Sequence, residues 1–251
     1  NNKIGEEVRA IVKVAKINQK DHAQGHISPN TEKWLRLGPV GLKEEAEKKL
    51  QSAGKNQRDF YKSVIIVQNG AITFIKRYAS LALELSKNPD NEKNCSDLLE
   101  VSRICSKIAE KPAETLHEAL QSLWFLYVIL QMESNASSFS PGRADQYLYP
   151  YFRNDIDNGL IDLQDALDLI EALWLKFNQI VYLRNSHSAK YFAGFPIGFN
   201  VACGGQTENG RDASNELSFL FLKAQSHLLM PQPNLSARLF KGSDELFIDE
   251  C

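Results

Sequence analysis

Residues 196–205 read Pro-Ile-Gly-Phe-Asn-Val-Ala-Cys-Gly-Gly, and residues 231–240 read Pro-Gln-Pro-Asn-Leu-Ser-Ala-Arg-Leu-Phe. Each is a short, largely apolar run set off by glycine or proline, which is the pattern of a buried strand. Between them, Gln206 to Arg211 supplies a turn, and Asn215 to Leu229 places Leu217, Leu220, Phe221 and Ala224 at helical spacing. Strand, helix and strand in that order imply a parallel pair with a crossover. Parallel strands cannot be joined by a tight hairpin, and their sheets are covered by helices. The expected fold class is therefore α/β.

Upstream the chain reads as helical. Phe60, Val64, Val67, Ala71, Phe74, Tyr78, Leu81 and Leu85 alternate steps of four and three, which predicts one helix with this stripe in the core, ended by Pro89. A second helix is expected around Cys95 to Ala109. Thr115-Leu-His-Glu118 has the capping-box pattern and starts a helix through Gln131. Leu123 to Leu130 is apolar all round, so that helix is expected to be buried. Asp162-Leu-Gln-Asp165 starts another, with Leu163, Leu167, Ile170, Leu173, Trp174 and Phe177 facing inward. Ser243 and the acidic residues after it read as the start of a last helix.

Several function classes can be set aside. The 251 residues carry 29 basic and 31 acidic side chains in mixed order, so no strong field recruits nucleic acid or an anionic membrane surface. No apolar run reaches the roughly 18 residues of a membrane span. Cys95, Cys105, Cys203 and Cys251 show neither a CxxC pair nor metal-ligand spacing. That fits free thiols in the cytoplasm, with Cys203 a buried structural residue. No linker or repeat divides the chain, so residues 1–251 are read as a single piece of one domain. The absence of an initiator Met and the abrupt stop at Cys251 lead to the expectation of a piece truncated at both ends.

The stretch Ser140 to Phe152, Ser-Pro-Gly-Arg-Ala-Asp-Gln-Tyr-Leu-Tyr-Pro-Tyr-Phe, gathers one cation, one anion and four aromatic rings between helix breakers. It reads as a shaped loop in which Arg143 and Asp145 are close enough to pair. With Gln131-Met-Glu-Ser-Asn135 before it and Pro231 to Arg238 later, it resembles the pyruvate formate-lyase superfamily of glycyl radical enzymes. The similarity continues through Gly25-His26-Ile27, Arg77-Tyr78-Ala79, Glu118-Ala-Leu-Gln121, Gly142 to Pro150 and Gly204-Gly205-Gln206, and is greater to the glycerol dehydratase and eliminase branch.

The resemblance implies a helix-rich part of a ten-stranded α/β barrel, incomplete in this chain. It also implies a radical lyase or dehydratase acting on a small polar organic substrate in anaerobic metabolism. The glycyl radical would be installed by a radical SAM iron–sulfur activating enzyme, and the full-length protein would be a homodimer. Neither the family's Gly-Cys-Val-Glu-like loop nor its Arg-Val-(Ala/Ser)-Gly-like loop occurs in these residues. No catalytic residue or metal ligand is therefore assigned, and the piece is expected to be inactive alone. The resemblance places His26, Ser137 and Ser138 on substrate, and Asn135, Arg143 and Asp145 as braces beside the site. Ser137 stands where that branch has histidine, which removes a donor and argues against a simple diol. Formate C-acetyltransferase is the alternative within the superfamily, and a non-catalytic helical scaffold is the alternative outside it. His187-Ser188 has no oriented carboxylate to make it a hydrolase pair.

Overall fold

The computed structural model describes residues 27–134, 138–180 and 198–251, together with Glu6, Glu7 and Ala10. Helix α1 spans Thr31–Ser52 and is capped by Asn30, whose side chain accepts the Lys33 N–H at 3.0 Å. Gly38, at φ 64°, and Pro39 kink it. The indole of Trp34 donates to the Ser122 hydroxyl at 2.9 Å and so fixes α1 against a later helix. Helix α2, Lys55–Leu85, folds back on α1. After a 3-10 turn at Pro89–Asn94, helix α3, Cys95–Glu110, packs along α2.

Helix α2 buries a different face from the one its large residues suggest. The line against its neighbours is Ala71, Ile75, Ala79 and Ala82, while Phe60, Val67, Tyr78, Leu81 and Leu85 are exposed. The small residues let α3 come close enough for the Ser102 hydroxyl to donate to the Ala79 carbonyl at 2.8 Å. Phe74 and Tyr78 sit at the margin, each edge-on to Phe125. Ala79→Leu should therefore lower stability by about 1–3 kcal/mol through overpacking. A thermal midpoint equal to wild type would contradict this close approach.

Helix α4 spans Leu116–Ser134. Its first turn is satisfied from three directions. Leu116 N–H donates to Asp155 at 2.7 Å, Glu118 N–H donates to the Thr115 hydroxyl, and the Glu118 carboxylate accepts the Glu114 N–H. Burial pushes the Glu118 carboxyl up. Lys107, at 2.8 Å, and the Glu114 N–H outweigh this and hold it below the usual carboxylate range.

The aromatic stretch after α4 is only partly a loop. From Ala144 onward it forms α5, Ala144–Tyr147, and α6, Tyr149–Asp157. Pro150 is tolerated because it lies in the first turn of α6, where its missing N–H has no helical partner to lose. Helix α7, Leu163–Phe177, starts at the Asp162/Asp165 capping box. It buries Leu167, Ile170, Leu173, Trp174 and Phe177, but leaves Leu163 exposed.

Strand β1, Asn200–Gly204, leads through the turn bridged by Gln206 and Asp212 to helix α8, Glu216–Leu228, which has an Asn215/Ser218 capping box. Strand β2, Asn234–Arg238, returns parallel to β1, and α9, Glu245–Glu250, follows with Asp244, not Ser243, as its cap. Both strands are shorter than the apolar runs containing them. In register, Asn200 lies beside Asn234, Val201 beside Leu235, Ala202 beside Ser236, Cys203 beside Ala237 and Gly204 beside Arg238. Isolated parallel bridges Ile27 to Phe139 and Gly142 to Val201 extend the sheet on the other side of β1.

One face of the sheet packs on helices. Phe199, Val201 and Cys203 are fully buried there; Phe199 stacks on Phe177 with centroids 4.5 Å apart, and Phe177 adjoins Trp174. The other face carries Asn200, Asn234, Ser236 and Arg238, all exposed. Among the described residues no helix is long and apolar enough to cross a membrane.

Candidate functional site

The segment 138–145 is where the sheet, the end of α4 and the start of α5 meet. Ile27 pairs with Phe139, and Ser140 N–H donates to the Ile27 carbonyl at 2.9 Å. Two residues on, Gly142 donates to the Asn200 carbonyl at 3.0 Å and accepts the Ala202 N–H at 2.7 Å. The chain following residue 26, the segment following Ser138, and β1 therefore run side by side. Ser138 has φ 62°, a left-handed conformation that costs a residue other than glycine about 1–3 kcal/mol. A Cβ on Gly198 would stand 2.6 Å from the Ser138 hydroxyl oxygen, so glycine is what admits Ser138 to this position. His26, Asn135 and Ser137 lie outside the described residues, as do His187 and Ser188.

Arg143 and Asp145 act together, though not as an ion pair with each other. The Arg143 guanidinium donates to the carbonyls of Gly204 at 2.8 Å and Gln206 at 3.0 Å. Oδ2 of Asp145 accepts the Gly204 N–H at 2.7 Å and the Ser218 hydroxyl at 2.6 Å. Both backbone polar groups of Gly204 are thus held from the α5 side, and the first turn of α8 is tied to the same carboxylate. Gly204 has φ 68°, and a Cβ there would lie 2.5 Å from the Phe247 ring, so no other residue fits without displacement. Asp145 is fully buried, and burial raises its carboxyl above the usual range despite the bonds from Ser218 and Gly204.

The aromatic rings nearby brace this geometry. Tyr147 O–H donates to the Pro141 carbonyl at 3.0 Å, Tyr149 O–H donates to Glu216 at 2.6 Å, and Phe152 is fully buried. The cysteines contribute no reactive thiol here. Burial pushes Cys105 up to about 11 and Cys203 up to about 12, both far from a thiolate at neutral pH.

The exposed face of the sheet holds a feature that residue-by-residue reading did not single out. Asn200 Nδ2 donates to the Ser140 hydroxyl oxygen at 3.3 Å, and Asn234 Nδ2 donates to Asn200 Oδ1 at 3.3 Å. The signal was the asparagine opening each strand, one at the head of Asn-Val-Ala-Cys-Gly and one at the head of Asn-Leu-Ser-Ala-Arg. Only the register shows that the two lie beside each other.

A family model described as pyruvate formate lyase-like matches residues 1–251. Isethionate sulfite-lyase of Nitratidesulfovibrio vulgaris (strain Hildenborough) is 35% identical over 228 residues, covering 87% of this chain and 28% of that protein. The B12-independent glycerol dehydratase of Clostridium butyricum, solved with glycerol bound, superposes with a TM-score of 0.86 at 36% identity, over 98% of this chain and 32% of that one. A glycyl radical enzyme from Archaeoglobus fulgidus superposes at 0.83 with 32% identity, over 96% of this chain and 33% of that one. The chain thus spans about a third or less of the length of the relatives it matches. It is the helix-rich part of an α/β barrel of the glycyl radical enzyme type, and its relatives are dehydratases and lyases acting on small polar molecules. On these matches, the chain belongs to the pyruvate formate lyase-like family.

Proposed function

We propose that the complete polypeptide carrying these residues is a cytoplasmic glycyl radical lyase or dehydratase that cleaves a C–O, C–N, C–S or C–C bond of a small polar substrate. A glycyl radical, installed by a radical SAM activating enzyme on sequence outside these 251 residues, would generate the cysteine thiyl that abstracts hydrogen from a substrate carbon. Within these 251 residues the role is to bind and orient. His26 and Ser137–Ser138 present imidazole and hydroxyl groups to the substrate, and Asn135, Arg143 and Asp145 hold the surrounding wall. The helices behind β1 keep water from the reacting carbon. The observation that carries this reading is the pairing of Ile27 with Phe139, because it joins the segment after His26 to the segment after Ser138. The complete protein is read as a homodimer, and the 251-residue chain alone as inactive, since neither radical motif is in its sequence.

The test is anaerobic activation of the complete polypeptide, followed by electron paramagnetic resonance and turnover assays on glycerol and isethionate. A glycyl radical doublet and turnover are expected. His26→Ala should lower kcat/KM by about 1–3 kcal/mol, the scale of a lost buried hydrogen bond, with radical content unchanged. Absence of the radical in a folded, activator-treated protein would sink the reading.

A further inference from the structure

The two amides and one hydroxyl on the exposed face of the sheet form a directed chain: Asn234 donates to Asn200, which donates to Ser140. A carboxamide has two N–H donors and one oxygen acceptor with two lone pairs. Each asparagine spends one N–H in the chain, and Asn200 also accepts once. Left over are one N–H on each asparagine, the Ser140 O–H, and the Asn234 Oδ1, which accepts nothing among the described residues. The row therefore offers three donors and a terminal acceptor, carries no charge, and runs from β2 across β1 to the segment bridged beside it.

The row is not needed to set the register of the strands. The β1/β2 register is fixed by the backbone ladder and by the alternation that buries Val201 and Cys203 against the helices, and a slip of one residue would turn both outward. A second observation lies at the foot of the same strands. Gln232 is 2% exposed and its Oε1 accepts the Phe199 N–H at 2.9 Å, yet its Nε2 has no hydrogen-bond partner. An unpaired buried donor costs about 1–3 kcal/mol, and Gln232 carries one two residues before Asn234, at the start of β2.

In an α/β barrel the helices lie outside and the opposite sheet face lines the interior. We propose that Asn200 and Asn234, with Ser140, are substrate-recognising residues on the inner wall, reading an uncharged, hydroxyl-bearing part of the substrate. This rests on the functional reading above and extends it from the loop ends at His26 and Ser138 to the strands themselves. Arg238, the one charged side chain of the two strands, stands four residues along β2, about 13 Å from Asn234. The row itself is built of uncharged amides and a hydroxyl, which suit a hydroxyl-bearing group.

The experiment uses the activated complete polypeptide, with glycerol and isethionate as probes. On whichever probe the wild type turns over, Asn200→Ala and Asn234→Ala should each raise KM by about tenfold, with kcat within about twofold and radical content unchanged. A purely structural role would lower radical content or kcat together with stability. KM values within twofold of wild type would overturn the inference while leaving the functional reading intact, whereas a wild type that forms no radical overturns both. If the radical forms and neither probe is consumed, a crystal structure of the complete polypeptide decides. Amides open to an enclosed cavity support the proposal, and amides covered by protein side chains overturn it.

Discussion

Replacing Trp174 by alanine should lower the stability of the complete polypeptide by about 3–5 kcal/mol, the range for removing a large aromatic side chain from a core. Trp174 is 1% exposed, with its ring 5.0 Å from Phe221 and 6.0 Å from Phe177. Phe177 in turn stacks on Phe199 just before β1. The loss should therefore reach the sheet, and substrate KM should rise along with the fall in melting temperature. Trp174→Phe is the control. It keeps most of the volume and removes an indole N–H that has no partner, so its cost should stay below about 1.5 kcal/mol. Equal effects from the two variants would mean the site tolerates collapse.

Asp145→Ala should cost about 3 kcal/mol, because it strands two donors, the Gly204 N–H and the Ser218 hydroxyl, at about 1–3 kcal/mol each. Asp145→Asn should cost far less. Both bonds end on Oδ2, and Oδ1 has no partner, so an amide can keep its oxygen on the two donors and place its nitrogen where nothing is lost. The pH dependence has a definite sign. Burial raises the folded carboxyl above its unfolded value, so the stability this group contributes is complete below the unfolded pKa and is lost as pH rises through the folded pKa. Urea midpoints of the wild type, relative to those of Asp145→Asn, should fall as pH rises above the ordinary carboxylate range. The opposite slope would show that the carboxylate is stabilised as an anion.

The parts of this architecture that local chemistry controls were legible in the sequence. The Asp162/Asp165 cap and the glycine- or proline-bounded runs around β1 and β2 each depend on neighbours within a few residues. The parallel pairing followed from the helix between the strands. Helix α1 gave no clear reading because Gly38-Pro39 interrupts its pattern, although the structure carries the helix through that kink. Helix α2 misled in the other direction. Its bulky stripe, of which only Ala71 is buried, is more conspicuous than Ile75, Ala79 and Ala82, but close helix packing favours the small side chains. At the site, Arg143 and Asp145 stood out as braces. That their shared target is Gly204 depends on a contact across 59 residues, beyond any local pattern. The Asn200/Asn234 row was hidden for the same reason.

The two faces of β1 differ in what a substitution there would disturb. Val201 and Cys203 are locked into a close-packed interior, where a change of one methylene is felt. Asn200 and Ala202 point the other way and touch little of the helical layer. Exchange of the outward-alternating residues should therefore cost little stability while the struts at Gly204 keep the strand in place. Changes at these alternating positions would then alter the chemistry of the open face of the sheet without unseating the strand.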